Sequence, residues 1–339
     1  MSGPKAESDT SANPPAAVDL GPLASDLARV ETALRDSVKS SDAFLGDVAA
    51  HLIGAGGKRI RPTLALAAAY AAGWSGSEPA PASDDAITGA VAVELVHLGS
   101  LYHDDVIDEA ETRRGVPSVN ARWNNIVAIL AGDFLLARAS SLAASLGADV
   151  AALLAATIGE LCRGQVLELQ HLFDVERSEE GYESTIEGKT AALFATSCRI
   201  GGMVSNVDDA TLDALTRFGM HLGMCFQVVD DILDLTSSDE ALGKHAGQDL
   251  LEGVYTLPVI YALRDDARLR DRLGRPLDAD EVVEATRLAT ANGAVDAALA
   301  IARDHATKAI DALEGADALD PRVCNALTSL VENQVTRST

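Results

Sequence analysis

Apolar residues recur at helical spacing along almost the whole chain, from about Leu20 to about Val335. Positions three and four residues apart share one face of a helix, so this pattern predicts a succession of amphipathic helices. Alanine-rich stretches at 139–156 and 294–312 strengthen the prediction, because alanine has the highest helix propensity. The short breaks carry Gly, Pro, Ser or Asp and lie at 54–62, 73–84, 174–184, 201–209, 236–256 and 274–280. The sequence therefore predicts an all-α fold, with residues 20–339 forming a single domain.

Composition narrows the function and the location of the protein. The formal net charge is −24, which argues against nucleic-acid binding because phosphates would be repelled. There is no run of about 18 apolar residues, so we expect no stable membrane insertion. Residues 1–19 lack the apolar segment of a signal peptide and are rich in Pro, Ser and Ala, which predicts a disordered tail. Four separated cysteines without metal-ligand spacing favour reduced thiols in a cytoplasmic protein.

A first aspartate cluster follows an apolar helical run and consists of Asp104, Asp105 and Asp108. Residues four apart share a helix face, so Asp104 and Asp108 are expected side by side. Like charges at this spacing destabilise a helix by a few tenths of a kcal/mol. Paired carboxylates are ligands that Mg²⁺ prefers, so the cluster predicts a metal-binding face.

A second aspartate cluster, Asp230, Asp231 and Asp234, repeats the same spacing within the apolar segment FQVVDDILDL. Either cluster alone is equally well explained as a solvated helix end, but two copies in apolar helices indicate a functional pair. Two opposed acidic faces can hold metal ions whose coordination is completed by substrate phosphates. This arrangement suits cleavage of the carbon–oxygen bond of a diphosphate ester in an apolar cavity.

Basic residues that suit an anionic substrate are grouped in a few segments. The loop GGKRIRP contains Lys58 and Arg61, and its glycines allow the backbone to approach an anion closely. Arg113 and Arg114 follow the first aspartate cluster, and His97 precedes it by two helical turns. Taken one at a time, these residues are also explained as a basic turn or a packed core histidine. Lys189, Thr190 and Lys244 are further candidates.

Four segments together resemble the trans-prenyl diphosphate synthases, the polyprenyl synthetase family. They are GGKRIRP, HDDVIDEAETRRG, EGKTAALF and FQVVDDILDLTSSDEALGKHAGQDLLEG, which occur in the family's order with suitable spacing over nearly the whole chain. The resemblance implies an isoprenoid-synthase-type bundle of long helices around a central active-site cavity. It also implies that the protein is a homodimer. It also implies a magnesium-dependent prenyltransferase of isoprenoid biosynthesis. Such an enzyme ionises an allylic diphosphate, condenses it with isopentenyl diphosphate and eliminates a proton.

The same resemblance assigns roles to individual residues. The isopentenyl diphosphate would be held by Lys58, Arg61, His97 and Arg114. The allylic diphosphate would be contacted by Arg113, Lys189, Thr190, Gln227 and Lys244. The developing carbocation would be stabilised by Lys189, Thr190 and Gln227. Magnesium, as three ions bound with the diphosphate, would be held by Asp104, Asp108 and Asp230, with support from Asp105, Asp231 and Asp234.

One position departs from the pattern of the family. Many members carry Lys in a GKxTLP segment, whereas this chain has Val254 in the segment GVYTLP. Valine has no charge, so one expected contact with a diphosphate is in doubt.

Small residues beneath the first aspartate cluster bear on the length of the product. Ser100 and Gly99 lie four and five residues before Asp104, which is about one helical turn. Aromatic residues there would form a floor, whereas small ones leave a route toward Val96. We therefore expect a product longer than geranylgeranyl diphosphate. Alternatively, these small residues only permit close helix packing, and the floor lies elsewhere.

Four other functions remain open at this point. A short-chain synthase would differ only in product length. A terpene cyclase would share the helical fold, but the second motif and the 4% aromatic content fit it poorly. A non-catalytic subunit of a heterodimeric synthase would typically lack the aspartate clusters. A helical metal-binding protein without chemistry would leave the basic residues unexplained.

Overall fold

The structure is a computed structural model that describes residues 20–71, 80–236, 247–314, 316 and 318–336. The predicted tail at 1–19 and the predicted substrate-binding residue Lys244 lie outside these residues. Nearly all the regular structure in the described ranges is helical, so the all-α prediction is confirmed. A short antiparallel hairpin pairs Thr112 with Pro117 and Arg113 with Val116.

The helices run in the following order along the chain. The first eight are α1 (Leu23–Ser37), α2 (Ala43–Gly54), α3 (Ile60–Ala69), α4 (Asp84–Ile107), α5 (Val119–Arg122), α6 (Asn125–Ser145), α7 (Ala148–Gln170) and α8 (Glu179–Ile186). A π-helical turn (Glu187–Ala191) connects α8 to α9 (Ala192–Val204). They are followed by α10 (Asp209–Thr236), α11 (Gln248–Glu252), α12 (Leu257–Asp265), α13 (Ala267–Arg270), α14 (Ala279–Ala289), α15 (Ala294–Glu314) and α16 (Pro321–Thr336). The hairpin strands β1 (Thr112–Arg113) and β2 (Val116–Pro117) lie between α4 and α5.

Two long helices, α4 and α10, form the centre of the bundle. Helix α4 packs broadly against α6, and α10 packs against α9 and α15. The start of α4 is stabilised by Ser83, whose side chain accepts a hydrogen bond from the Ala86 N–H, and by Asp84 and Asp85 in its first turn. Most positions of α4 are buried, so this helix is apolar on nearly every side until it reaches its aspartates.

The buried residues form one large core and a smaller one. The smaller core joins α11, α12, α13 and α14, and it receives Leu235 from the C-terminal end of α10. The large core includes Ile232, one turn earlier on α10. Helix α10 therefore belongs to both cores and connects them.

One predicted helix is divided in the structure. The alanine-rich stretch at 139–156 is interrupted where α6 ends at Ser145 and α7 begins at Ala148. Gly147 lies between them with a φ angle of +120°, a conformation that residues with a Cβ rarely adopt. The break allows α7 to fold back beside α6, and the second alanine-rich stretch forms α15 as expected.

Helices α6 and α7 present an apolar surface. By length and composition alone, each could cross a membrane, which the sequence pattern did not predict. Of the most apolar 18-residue stretch of each helix, only 33% is buried in α6 and 22% in α7. The large exposed apolar side chains on them are Ile126, Ile129, Leu130, Val166 and Leu169.

Candidate active site

A cavity of about 910 Å³ lies beside the C-terminal ends of α4 and α10. Its walls also include the loop before α3, the hairpin, α7, the π-helical turn and α11. The predicted site residues that line it are Lys58, Arg61, His97, Ser100, Asp104, Asp108, Arg113, Arg114, Lys189, Thr190, Gln227, Asp230 and Asp231. Asp105, Asp234 and Gly99 do not line it. The fold thus brings together most of the residues that the sequence singled out.

The first aspartate cluster presents two carboxylates to the cavity. Asp104 lies in the last turn of α4, and Asp108 caps this helix, with its N–H donating to the Asp104 carbonyl oxygen at 2.8 Å. The pKa of Asp104 is raised to about 6, chiefly by burial; Lys189 opposes the rise and the nearby Asp108 carboxylate adds to it. Burial also raises the pKa of Asp108. Two like-charged carboxylates at the wall of one cavity would gain strongly from a bound cation.

Asp105 has a different environment from its two neighbours. Its side chain is fully buried, and Oδ1 accepts hydrogen bonds from Arg113 Nε at 2.7 Å and Nη2 at 2.6 Å. The hairpin places Arg113 there, and Asn120 Nδ2 donates to the Asp105 carbonyl oxygen at 3.0 Å. Asp105 therefore fixes Arg113 at the cavity wall, although the other oxygen, Oδ2, is buried without a hydrogen-bond partner.

The second aspartate cluster presents Asp230 and Asp231 to the cavity. Asp230 is exposed, whereas Asp231 is buried and accepts hydrogen bonds from the Tyr182 hydroxyl at 2.5 Å and from Gln227 Nε2 at 2.8 Å. Burial raises the pKa of Asp231, and these two hydrogen bonds oppose the rise. Asp234 is buried and does not line the cavity, and its Oδ2 accepts the Asp249 N–H at 3.2 Å at the start of α11.

A basic cluster surrounds His97 on the other side of the cavity. Arg114 Nη2 lies 3.4 Å from His97 Nε2, and Arg114 Nη1 donates to the Gly56 carbonyl oxygen. Burial, together with Arg61 and Arg114, holds the pKa of His97 well below its ordinary value, so this imidazole is neutral. Burial lowers the pKa of Arg61 to about 10, which leaves this guanidinium charged, 5.1 Å from the centre of the Phe194 ring.

The loop before α3 can approach this cluster because of one glycine. Gly57 has a φ angle of +152°, and a Cβ there would lie 2.9 Å from Arg114 Nη1. A larger residue would therefore push Arg114 away. The adjacent Lys58 lines the cavity, as the Gly-rich loop predicted.

The π-helical turn places Lys189 and Thr190 in the cavity wall. It packs closely on α7, since a Cβ on Gly164 would lie 2.2 Å from the Lys189 backbone nitrogen. This contact allows Lys189 Nζ to donate to Glu168 Oε1 at 2.5 Å. The hydroxyl of Thr190 donates to Gln227 Oε1 at 2.7 Å, which joins it to the Asp231 network. Single π-helical turns within helices occur frequently at functional sites.

Glu168, Tyr182 and Arg177 are among the cavity residues that sequence reasoning missed. Glu168 and Tyr182 are positioned by the contacts just described, and Arg177 lies over the Tyr182 ring at 5.5 Å. A carboxylate inside the apolar helix α7 was a signal for Glu168, by the same logic that found the aspartates. Arg177 lies in a loop, where the sequence offered no comparable signal.

The two predicted product-length residues lie in different places. Ser100 lines the cavity, and its hydroxyl donates to the His97 carbonyl oxygen at 2.9 Å. Gly99 instead faces α6, because a Cβ there would lie 3.2 Å from the Gly132 carbonyl oxygen and from the Leu136 side chain. Its small size serves close helix packing, which was the alternative explanation. Val96 is buried in the core and does not line the cavity.

Comparisons with known proteins show which family this chain resembles. The sequence profile of the family described as polyprenyl synthetase matches residues 42–289. A nonaprenyl diphosphate synthase of Mycobacterium tuberculosis is 41% identical over 335 residues, covering 95% of this chain and 97% of that protein. A heptaprenyl diphosphate synthase component 2 of Geobacillus stearothermophilus is 39% identical, covering 86% and 90%. A polyprenyl synthase of Caulobacter crescentus, solved in complex with calcium and isoprenyl diphosphate, superimposes with a TM-score of 0.86 at 34% identity, covering 96% and 100%.

Proposed function

The chain belongs to the polyprenyl synthetase family and is a prenyltransferase, and from this premise we propose its substrates, its metal and its product. We propose that it condenses isopentenyl diphosphate with an allylic diphosphate to form an all-trans polyprenyl diphosphate longer than geranylgeranyl diphosphate. The observation that carries the proposal is that one cavity joins two carboxylate faces to a separate basic cluster. An anionic substrate can enter this otherwise acidic protein only at such a site.

The residues of the two carboxylate faces fit magnesium, and we propose three ions bound together with the diphosphate. Asp104, Asp108 and Asp230 offer oxygen ligands, with Asp231 beside them. Within the described residues, no three acidic, histidine or cysteine side chains are close enough to hold an ion by themselves. This fits Mg²⁺, which typically takes one or two carboxylates and completes its coordination with substrate phosphates and water. Bound divalent ions would neutralise negative charge on the departing diphosphate.

We assign the basic cluster to isopentenyl diphosphate. Lys58, Arg61 and Arg114 supply charge there, and neutral His97 can share a hydrogen bond with Arg114. Guanidinium groups match phosphate oxygens in paired hydrogen bonds, which fixes the orientation of the substrate as well as its affinity. The allylic diphosphate would lie nearer the aspartates, in contact with Arg113, Lys189, Thr190, Gln227 and, by the family pattern, Lys244.

The reaction breaks the carbon–oxygen bond of the allylic diphosphate and forms a carbon–carbon bond from the double bond of isopentenyl diphosphate. Loss of a proton from the neighbouring carbon, to the departing diphosphate, then creates the new double bond. The chain of hydrogen bonds from Thr190 through Gln227 to Asp231 fixes the direction of each dipole. The oxygen lone pairs of Thr190 and Gln227 can therefore stabilise the developing carbocation without reorganising during the reaction. Lys189, whose position is fixed by its hydrogen bond to Glu168, can stabilise the negative charge on the departing diphosphate in the same way.

The exposed apolar surface of α6 and α7 supports a homodimer. A second copy of the chain would cover its large apolar side chains. We therefore propose a cytoplasmic homodimer in which neither helix is stably inserted in a membrane. We also propose that residues 20–339 form one domain, because α10 belongs to both cores. Light scattering of the purified chain tests the dimer, and flotation with lipid vesicles tests the membrane alternative.

Product analysis tests the proposed reaction. The purified chain, incubated with farnesyl diphosphate, labelled isopentenyl diphosphate and Mg²⁺, should yield a ladder that ends beyond geranylgeranyl length. A product that stops at geranylgeranyl length would retain the reaction and reject the long product. No product from farnesyl or geranylgeranyl primer would reject the proposal and favour a subunit that requires a different partner.

A further inference from the structure

Arg177 is a buried cation in the wall of the cavity, with 5% of its surface exposed. Its Nη1 donates to the Tyr255 carbonyl oxygen and its Nη2 to the Thr185 hydroxyl, both at 2.9 Å. Its Nε is buried without a hydrogen-bond partner. Across the described ranges, no carboxylate lies within 4.0 Å of it, the limit for an ion pair. Its charge is therefore not neutralised by direct contact with a carboxylate of the described residues.

A buried guanidinium without a carboxylate partner is unfavourable, because burial removes its hydration. Burial accordingly lowers the pKa of Arg177, although an arginine side chain remains protonated in proteins. Arg59 shows the usual solution, since its equally buried guanidinium is paired with Glu31 and Glu94. Arg177 has no such partner among the residues that the structure describes, and it lies at a cavity, so an anion in that cavity would supply the missing charge.

The position of Arg177 indicates which part of the cavity this anion occupies. Its guanidinium lies over the Tyr182 ring, and the Tyr182 hydroxyl donates to Asp231. Glu168, the partner of Lys189, is the carboxylate that acts on it most strongly. The arginines that surround His97 form a separate group. Arg177 therefore lies beside the second aspartate cluster, whereas the charge of Lys189 also interacts with Asp104 and Asp108 of the first cluster.

We propose that Arg177 is a further substrate-binding residue, which contacts the diphosphate of the allylic substrate from the side of the second aspartate cluster. The assignment to the allylic substrate rests on the proposed function. Val254 lines the same cavity without any charge, and the next residue, Tyr255, provides the carbonyl that holds Nη1. Arg177 thus supplies positive charge to this part of the wall. Tyr182 acts as a positioning residue beneath it.

The test compares Arg177→Gln with wild type in steady-state kinetics on the whole chain. The KM for the allylic diphosphate should rise about tenfold or more, because a charged hydrogen-bond donor is lost. The KM for isopentenyl diphosphate should stay within about twofold, because the His97 group is unchanged. Arg264→Gln is the matched control, since Arg264 also lies over a tyrosine ring, Tyr261 at 4.8 Å, but is half-exposed. It should leave both KM values unchanged.

Further measurements separate the alternatives. Arg177→Lys retains the charge but not the planar guanidinium group, so it should raise the KM for the allylic diphosphate by a smaller factor than Arg177→Gln does. If Arg177→Gln fails to fold, the KM values of Arg177→Lys test the proposal instead. An unchanged allylic KM, or equal rises for both substrates, would overturn the proposal. If wild type makes no product, the proposed function fails by itself. Calorimetry with Mg²⁺ and inorganic pyrophosphate then tests Arg177 directly. Arg177→Lys should bind pyrophosphate more weakly than wild type does. Equal binding would overturn the proposal for Arg177.

Discussion

The two aspartate clusters have the same spacing but present different members to the cavity. In the first cluster, the outer residues Asp104 and Asp108 line the wall, and the middle residue is held inside by Arg113. In the second cluster, the adjacent residues Asp230 and Asp231 line the wall. Its last residue, Asp234, instead holds the start of α11. A repeated motif in the sequence is therefore not a repeated arrangement in space.

The position of each cluster within its helix explains the difference. Helix α4 ends at Ile107, so Asp108 caps it where the chain turns into the hairpin. Helix α10 continues to Thr236, so Asp234 is still helical, and it accepts the Asp249 N–H at the start of α11. The elements that follow each helix thus determine which carboxylates remain at the cavity wall.

A second difference lies one turn beneath each cluster. Four residues before Asp104 is the small residue Ser100, and four residues before Asp230 is Phe226. Both line the cavity, and the Phe226 ring lies 5.3 Å from the Phe194 ring. The cavity wall therefore carries a small residue beneath the first cluster and an aromatic ring beneath the second.

The largest expected effect comes from removing the leading carboxylate of either cluster. Asp104→Ala and Asp230→Ala should each lower kcat by about a thousandfold or more, because metal ligation supplies several kcal/mol of transition-state stabilisation. Circular dichroism should show an intact fold. Asp213→Ala, an exposed aspartate near the start of α10, is the control and should retain full turnover. Near-normal turnover in either active-site variant would reject the metal assignment.

The last aspartate of each motif distinguishes the two clusters. Asp108→Asn should lower kcat by about a hundredfold by weakening metal ligation. Asp234→Asn should lower kcat only about tenfold but should also lower Tm by several degrees, because it weakens the hydrogen bond to Asp249. Kinetics and thermal unfolding of both variants measure this contrast. Equal kinetic losses with unchanged Tm would mean that the clusters are equivalent.

The raised pKa of Asp104 predicts a pH dependence for ligand binding. This pKa is about 6 in the folded protein, against an ordinary value of 3.8. Ionisation of Asp104 therefore lowers the stability of the metal-free protein as pH rises through about 6. A bound cation reverses this penalty, so Mg²⁺ with pyrophosphate should raise Tm more at about pH 7 than at about pH 5. The difference should shrink in Asp104→Asn, and a difference that persists there would assign the titration to another group.

The smallest effect on rate should come from the residues beneath the clusters. Ser100→Phe should shorten the product by filling the cavity beneath the first cluster, and Phe226→Ala should leave the product as long or longer. Chromatography of the products measures both. Gly99→Tyr should instead lower Tm, because it forces α4 away from α6 at Gly132. An unchanged product in Ser100→Phe would locate the floor on another helix.

Much of the fold and of the site followed from the sequence, because both depend on local pattern. Helical periodicity predicted the all-α bundle, and spacing predicted that Asp104 and Asp108 share a face. The roles of Asp105 and Asp234 could not be predicted in this way. They depend on contacts with Arg113 and Asp249, which are eight and fifteen residues further along the chain and are brought close by the fold.

Two further features lay beyond sequence reasoning for physical reasons. The π-helical turn that positions Lys189 depends on the close approach of Gly164 on α7, a contact between segments distant in sequence. Gly99 could not be assigned to the cavity or to the α6 contact, because helical spacing gives a direction but not the neighbouring helix. The spacing of the carboxylates predicted the type of chemistry. Which of these carboxylates line the cavity depends on tertiary packing.

A crystal structure with Mg²⁺ and an unreactive allylic thiodiphosphate would test the central claim most directly. We predict metal ions ligated by Asp104, Asp108 and Asp230, with Asp105 still bonded to Arg113 and Asp234 still bonded to the start of α11. Ions ligated by Asp105 or Asp234, or bound at only one of the two clusters, would contradict the account.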